Sequence, residues 1–340
     1  MLRSVRHSAT LLAVLFAIVL APSRGRAETD VKLLLDWVFQ SNQAIFTMAS
    51  DSGYFSEAGL RVRIDRGFGS ADTIAKVAAG TYEFGFADLS LLVEFNAKNP
   101  GNKVTGVFVS FDATLNAITS LAKTNIRSPK DLIGKRIAAP NADNTRQLFP
   151  IFAAANGIDP NSVTWVTTSP NLRDALLIRG EADAVASFAS TTILNLENLG
   201  IPQQNLNVMW FSDLGVDLYG NAVVVSAKFL AAHPDLVRGF VAAVVRGSKL
   251  ALSEPKSAVA SIMKRDPLLR EHEEMRRFEL LRDLAIVTPS VKTNGLSYVD
   301  PARLARTISF VAKAFDIAPA PSPGDIFRSD FLPPIADRKL

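Results

Sequence analysis

The 340-residue chain contains no cysteine and only three histidines. The first absence excludes disulfides, thiol catalysis, cysteine-ligated zinc and a lipid anchor on an N-terminal cysteine. Outside the N-terminal segment the histidines are His233, before Pro234 at a helix start, and His272, in the charged run Arg270–Glu274. Neither stands near the other in sequence, so both read as solvated surface groups, and no metal site or cofactor is expected. G-x-S-x-G, P-loop and G-x-G-x-x-G motifs are also lacking in a supporting context. Catalysis is therefore not expected.

Excess charge is missing as well. The formal net charge is +4, but Arg3, Arg6, Arg24 and Arg26 lie within residues 1–27, which hold no acid, so the remainder is neutral. A nucleic-acid partner held by a basic surface is excluded on that ground. After residue 27 no run is long and apolar enough to cross a bilayer. The uncharged run Leu11–Ala21, the break at Pro22 and the small residues of Gly25-Arg26-Ala27 read as a signal peptide cleaved near Ala27. A soluble periplasmic protein, monomeric and without disulfides, is the expectation.

What is present is a repeating strand–helix pattern. Val31–Asp36 reads as a strand and Ser41 as the cap of a helix to about Ser52. Arg61–Ile64 alternates as a strand, Gly67-Phe68-Gly69-Ser70 turns the chain, and Ser70 caps a helix that ends before Gly80. Glu83–Ala87 and Lys103–Phe111 follow as strands. The order then starts again beyond Asp112. Strands Asn116–Ala122, Arg136–Ala139, Val163–Thr167 and Ala184–Ser187 alternate with helices Thr145–Ala155, Leu172–Arg179 and Thr191–Asn198. Tyr219–Ser226 is a returning strand, and the rest is almost wholly helical. The pattern predicts an α/β protein of two doubly wound lobes joined by a two-strand hinge, a clamshell. Its parts would be residues 28–113, 114–222 and a returning helical segment 223–340. One large mixed sheet is the alternative.

Ligands of such sheets bind at the carboxyl ends of the strands, which selects the candidate residues. Trp37 and Phe39 close the first strand beside Gln40, and one of the two aromatics is expected in the core, Phe39 more than Trp37. Phe68 lies at the same edge, where Gly69, Ser70 and Ala71 form either a donor set for a polar group or an ordinary cap. Asp88 and Ser90 are ambiguous in the same way. The second lobe offers Asn141, Asn144, Thr145 and Arg146; the guanidinium would meet an anionic ligand group or pair with Asp143. Ser187 and Phe188 end a strand, while Asp112, Asn116, Asp217 and Tyr219 sit at the crossings.

Across the chain Leu35-Asp36-Trp37, Gly53-Tyr54-Phe55, Glu57-Ala58-Gly59-Leu60, Ala78-Ala79-Gly80, Ser128–Lys135, Gly180–Ala184 and His233–Val237 resemble the solute-binding proteins of ABC importers for sulfonates, nitrate, taurine and thiamine-pyrimidine precursors. That resemblance implies a type II periplasmic-binding fold and a small-molecule ligand handed to the transmembrane subunits of an ABC permease. Leu35-Asp36-Trp37 is similar to the branch that binds pyrimidine precursors or riboflavin, where an aromatic residue after the first strand contacts the ring. The synthase enzymes on this fold carry a cysteine-rich motif, so the cysteine-free chain is expected not to be an enzyme. An exported enzyme and a ligand-sensing partner of a membrane receptor are the alternatives.

Overall fold

The computed structural model describes residues 28–340; the signal peptide read at residues 1–27 lies outside them. Two five-stranded mixed sheets form the frame. The first has the order β2-β1-β3-β10-β4, with β1 Thr29–Leu34, β2 Leu60–Asp65, β3 Phe84–Asp88, β4 Val104–Val109 and β10 Asn221–Ser226. The second has the order β7-β6-β8-β5-β9, with β5 Asn116–Leu121, β6 Arg136–Ala139, β7 Thr164–Thr167, β8 Ala184–Phe188 and β9 Leu206–Trp210. In each sheet the strand that enters from the other lobe, β10 or β5, runs antiparallel to both neighbours. The two lobes are thus built to one plan, as the repeat in sequence predicts.

The helices used below are α1 Ala44–Asp51, α2 Ser70–Ala78, α3 Leu91–Lys98, α4 Phe149–Ala155, α5 Arg173–Arg179, α6 Ala189–Asn198, α7 Pro234–Ser253, α8 Pro255–Met263, α9 Glu271–Leu281 and α10 Pro301–Ala314. Three details depart from the sequence reading. Residues Leu35 and Asp36 leave β1, although Leu35 N still donates to Asp65 O at 2.9 Å. The single helix expected over Thr145–Ala155 is two pieces, Asn144–Gln147 and α4. Pro150 is the cause: it lacks an N–H and restricts the residue before it. Strand β9 was not expected; its pattern is short and without Gly or Pro bounds close on both sides.

Two crossings, residues 110–115 and 211–220, join the lobes and bond to each other. Gly220 N donates to Phe111 O at 2.9 Å and Thr114 N to Leu218 O at 3.2 Å. A β-carbon on Gly220 would lie 2.9 Å from Phe111 Cβ, so the crossings touch closely because residue 220 has no side chain.

The first lobe's core is aromatic: Phe84 stacks on Phe240 at 3.8 Å between ring centroids, and Phe55 on Phe240 at 5.0 Å. Helix α7 supplies Phe240 and lies directly on α1. A β-carbon at Gly247 would stand 2.7 Å from Ala49 Cβ and 2.9 Å from Ala49 N, and closer still to Ile45 O. Gly→Ala inside a helix ordinarily gains about 1 kcal/mol, but here backbone would have to move. Gly247→Ala is expected to lose about 1–3 kcal/mol, read as a lowered melting temperature; a gain would show that α1 and α7 can part without cost.

Candidate functional site

The loop between β1 and α1 makes one wall of the cleft. Gln40 rather than Ser41 caps the helix: its N–H donates to Gln43 Oε1 at 3.0 Å, and a turn of 3-10 helix, Ser41–Gln43, precedes α1. Ser41 instead donates from its backbone N to Glu274 Oε2 at 2.6 Å. Gly67 N donates to Trp37 O at 3.0 Å, which pins the β2–α2 turn to the same loop. The lobes meet where Ala71 N donates to Ala142 O at 3.3 Å, and a β-carbon on Gly69 would overlap that carbonyl. Glycine is required at residue 69 on two counts, since its φ is +135°.

Between these walls lies a cavity of about 350 Å³ counting its open mouth, lined by Asp36, Trp37, Asn42, Gln43, Phe111 and Asn221 from the first lobe. Asp143, Asn144, Arg173, Phe188 and Thr191 line it from the second. Its interior leaves only about 20 Å³ to the centre of a water molecule, so an organic solute enters only if the lobes part.

Buried acid dominates the site. Asn221 Nδ2 donates to Asp36 Oδ2 at 2.6 Å, while Asp36 Oδ1 has no partner. Burial pushes this carboxyl up to about 7, against the Asn221 hydrogen bond that lowers it. Asp88 behaves similarly: burial raises it to about 6, although Ser90 N donates to Oδ1 at 2.9 Å and Asn144 Nδ2 to Oδ2 at 3.3 Å from the opposite lobe. Asp143 accepts from Thr145 N at 2.8 Å, capping the short helix Asn144–Gln147, and burial raises it too. Asn42 Oδ1 and Asn221 Oδ1 are further buried acceptors without a partner.

Arg173 is the cation that lines this cavity, and two of its three nitrogens are committed. Its Nε donates to Asp174 Oδ1 at 3.0 Å and its Nη2 to Thr192 Oγ1 at 3.0 Å; Nη1 stands 4.0 Å from Asp143 Oδ2. Its guanidinium carbon lies 5.5 Å from the centre of the Trp37 ring. The site therefore offers unpaired acceptors and aromatic faces, beside the donors Arg173 Nη1 and Asn42 Nδ2.

Of the residues read from sequence, Trp37, Asn144 and Phe188 line the cavity. Gln40, Asp88, Asn116 and Thr145 surround it: Thr191 Oγ1 donates to Gln40 Oε1 at 3.4 Å, and Thr145 Oγ1 to Asn116 Oδ1 at 2.8 Å. Ser70 Oγ accepts from Asp88 N at 3.1 Å within the first lobe, and Ser90 Oγ donates to Tyr219 O at 3.5 Å in the second crossing. Ser187 is buried against Thr192 at 2.6 Å. Phe39 packs on the first lobe's core. Phe68 is 50% exposed, beneath the Arg66 guanidinium.

Arg146 stands elsewhere from both of its expected roles. Its guanidinium covers the Trp165 ring at 4.8 Å and donates to Thr167 Oγ1 at 2.9 Å, because the Asp143 carboxylate is taken by the backbone of its own helix. Asn141 is exposed, its carbonyl accepting from Gln147 Nε2. Asp112, Asp217 and Tyr219 anchor the start of α10: Arg303 pairs with Asp112 at 3.3 Å and Asp217 at 2.7 Å, and Asp300 N donates to the Tyr219 hydroxyl at 2.9 Å. Asp36, Asn42, Gln43, Phe111, Asp143, Arg173, Thr191 and Asn221 were not among the residues chosen from sequence. Arg173 carried one signal, an arginine in a helix's first turn against the dipole preference.

Among the described residues, no group of three or more histidines and acids is placed to hold a metal ion, and no helix is long and apolar enough to cross a membrane.

A family model described as "NMT1/THI5 like" matches residues 40–258. The 4-amino-5-hydroxymethyl-2-methylpyrimidine phosphate synthase of Legionella pneumophila is 24% identical over 314 residues, 92% of this chain and 96% of that protein. The formylaminopyrimidine-binding protein of Halalkalibacterium halodurans is 25% identical over 290 residues, 80% of this chain and 84% of that protein. Among solved structures, the alkanesulfonate-binding protein SsuA from Xanthomonas axonopodis pv. citri, bound to MOPS, superposes with a TM-score of 0.67 at 15% identity, covering 89% of this chain and 99% of that one. The synthase match corrects the expectation that the chain is not an enzyme. A relative that carries an enzyme's name aligns along nearly its whole length, so the absence of cysteine does not exclude catalysis.

Proposed function

From the premise that the chain belongs to the NMT1/THI5-like family, we propose that it is an exported solute-binding protein of an ABC importer. It captures a small nitrogen heteroaromatic between its lobes and presents it to the permease. Cleavage near Ala27, a periplasmic location and a monomeric state belong to the same proposal. Residues 28–113 and 114–222 would close about the crossings, with 223–340 returning to the first lobe.

One observation carries the ligand class: three cavity-lining acceptors, Asp36 Oδ1, Asn42 Oδ1 and Asn221 Oδ1, are buried without donors. A ligand that donates N–H groups satisfies them, whereas nitrate or a sulfonate group brings only more acceptors and leaves them unpaired. The Arg173 charge is already balanced by Asp174 and Asp143, which weakens its pull on an anion. An amino group next to a ring nitrogen suits a carboxyl that titrates near 7, because one edge both donates and accepts. Trp37 and Phe188 supply apolar surface for the ring. Under this proposal the cleft residues read from sequence act as its lining and support.

Titration calorimetry should show 4-amino-5-hydroxymethyl-2-methylpyrimidine binding at least a hundredfold more tightly than taurine, nitrate or MOPS. The reverse order would overturn the heteroaromatic assignment. The synthase relative favours a second reading, turnover in the same cavity. Mass spectrometry of the pyrimidine after prolonged incubation separates the two: recovery unchanged supports transport, and conversion supports an enzyme.

A further inference from the structure

A run of buried polar contacts leads from the cavity to the far wall of the cleft. Arg173 Nε donates to Asp174 Oδ1 at 3.0 Å, and Asn195 Nδ2 donates to Asp174 Oδ2 at 2.8 Å. Arg277 Nη2 donates to Asn195 Oδ1 at 3.4 Å, and Arg277 Nε to Glu274 Oε1 at 3.1 Å. Glu274 in turn accepts from Ser41, in the loop that carries Asp36 and Trp37. Asp174, Glu274 and Arg277 are buried, and Asn195 is partly so.

Helix α6 belongs to the second lobe and α9 packs on the first. Within this run, only the Asn195–Arg277 bond passes between lobes; every other link stays inside one of them. The seam is flanked by Arg276 and Glu197, paired at 2.6 Å between the same two helices. Arg277 also buries an Nη1 that has no partner. Opening the cleft would return its donors to water, and closing it leaves Asn195 Oδ1 as the acceptor that the second lobe supplies. Removing that acceptor strands a second donor in the closed state alone, which shifts the balance toward open.

We propose that Asn195 is a positioning residue that couples the cavity to lobe closure. On one side its amide holds Asp174, and through it Arg173; on the other it receives Arg277 only when the lobes meet. This inference rests on the clamshell reading above.

The chain has no cysteine, so spin labels can be placed at Thr81→Cys and Asn161→Cys, exposed positions in opposite lobes. Asn195→Leu should reduce the short-distance population in ligand-free protein. It should weaken binding of 4-amino-5-hydroxymethyl-2-methylpyrimidine about tenfold, while the ligand-free melting temperature stays within a few degrees of the parent. Arg277→Lys keeps a cation beside Glu274 but loses the fork that reaches Asn195, and should shift the distances the same way; it provides the readout if Asn195→Leu does not fold. Distance distributions unchanged from the parent in the folded variants would overturn the proposal. If the parent fails to bind the pyrimidine, the functional reading falls, and the ligand-free distances still decide the role of Asn195.

Discussion

Asp36→Asn should make the ligand-free protein more stable at pH 8 and weaken solute binding tenfold or more. Both effects come from one buried carboxyl. Burial holds Asp36 at about 7 in the folded state, against 3.8 as its ordinary value. Between those limits the native protein binds the proton more readily than the unfolded chain does. The stability this proton contributes is present in full below about pH 4 and lost as pH rises through 7, roughly 4 kcal/mol in all. Asp88, raised to about 6 by burial, adds a loss of the same sign over a lower window. The parent's melting temperature should therefore fall between pH 5 and pH 8, and Asp36→Asn should flatten that decline. Binding suffers because the amide would put donors where Oδ1 now accepts. A variant that melts as the parent does at both pH values would show that Asp36 is not a buried acid, and one that binds the pyrimidine equally well would show that it is not a ligand group.

Arg173→Leu is expected to cost more than any other single change in the cleft. The side chain is fully buried beside Asp174 and Asp143, both also buried. Removing one partner of such a group leaves uncompensated charge, worth about 3–5 kcal/mol and roughly 10 °C in melting temperature for a chain of this size. The loss has a direction with pH. Burial already raises Asp143, and the Arg173 charge is the largest influence opposing that rise. Without Arg173 the carboxyl takes up a proton more readily, so the deficit should shrink in acid and grow in alkali. Calorimetric melting at pH 5 and pH 8 tests this; an equal drop at both would place the loss in packing rather than charge.

These two residues mark how far the sequence could be read. The lobes were legible because their signals are local: alternation in Arg61–Ile64, Gly80 ending α2, and the pattern restarting beyond Asp112. Trp37, Asn144 and Phe188 were legible as cleft residues because strand ends in such sheets converge on one edge. Arg146 showed the limit. It has the right charge at the right edge, yet Trp165 and Thr167 lie nearer than the cavity. Asp112, Asp217 and Tyr219 likewise sit at the crossings, but Arg303 and the start of α10, more than 80 residues further along, claim them. Nothing local to those positions announces a partner so distant.

By itself the sequence determined the two-lobed α/β plan, the crossings and the edge where the cavity lies, since propensity, periodicity and caps act over a few residues. It also determined that disulfides and thiol chemistry are absent, since the chain has no cysteine. Only the tertiary structure decided that Arg173 rather than Arg146 is the cavity's cation, that Asp36 is a buried acid, and that three buried acceptors there lack a donor. Charge state and hydrogen-bond satisfaction depend on burial and on groups far apart in the chain, such as Asp36 and Asn221, and those meet only after folding.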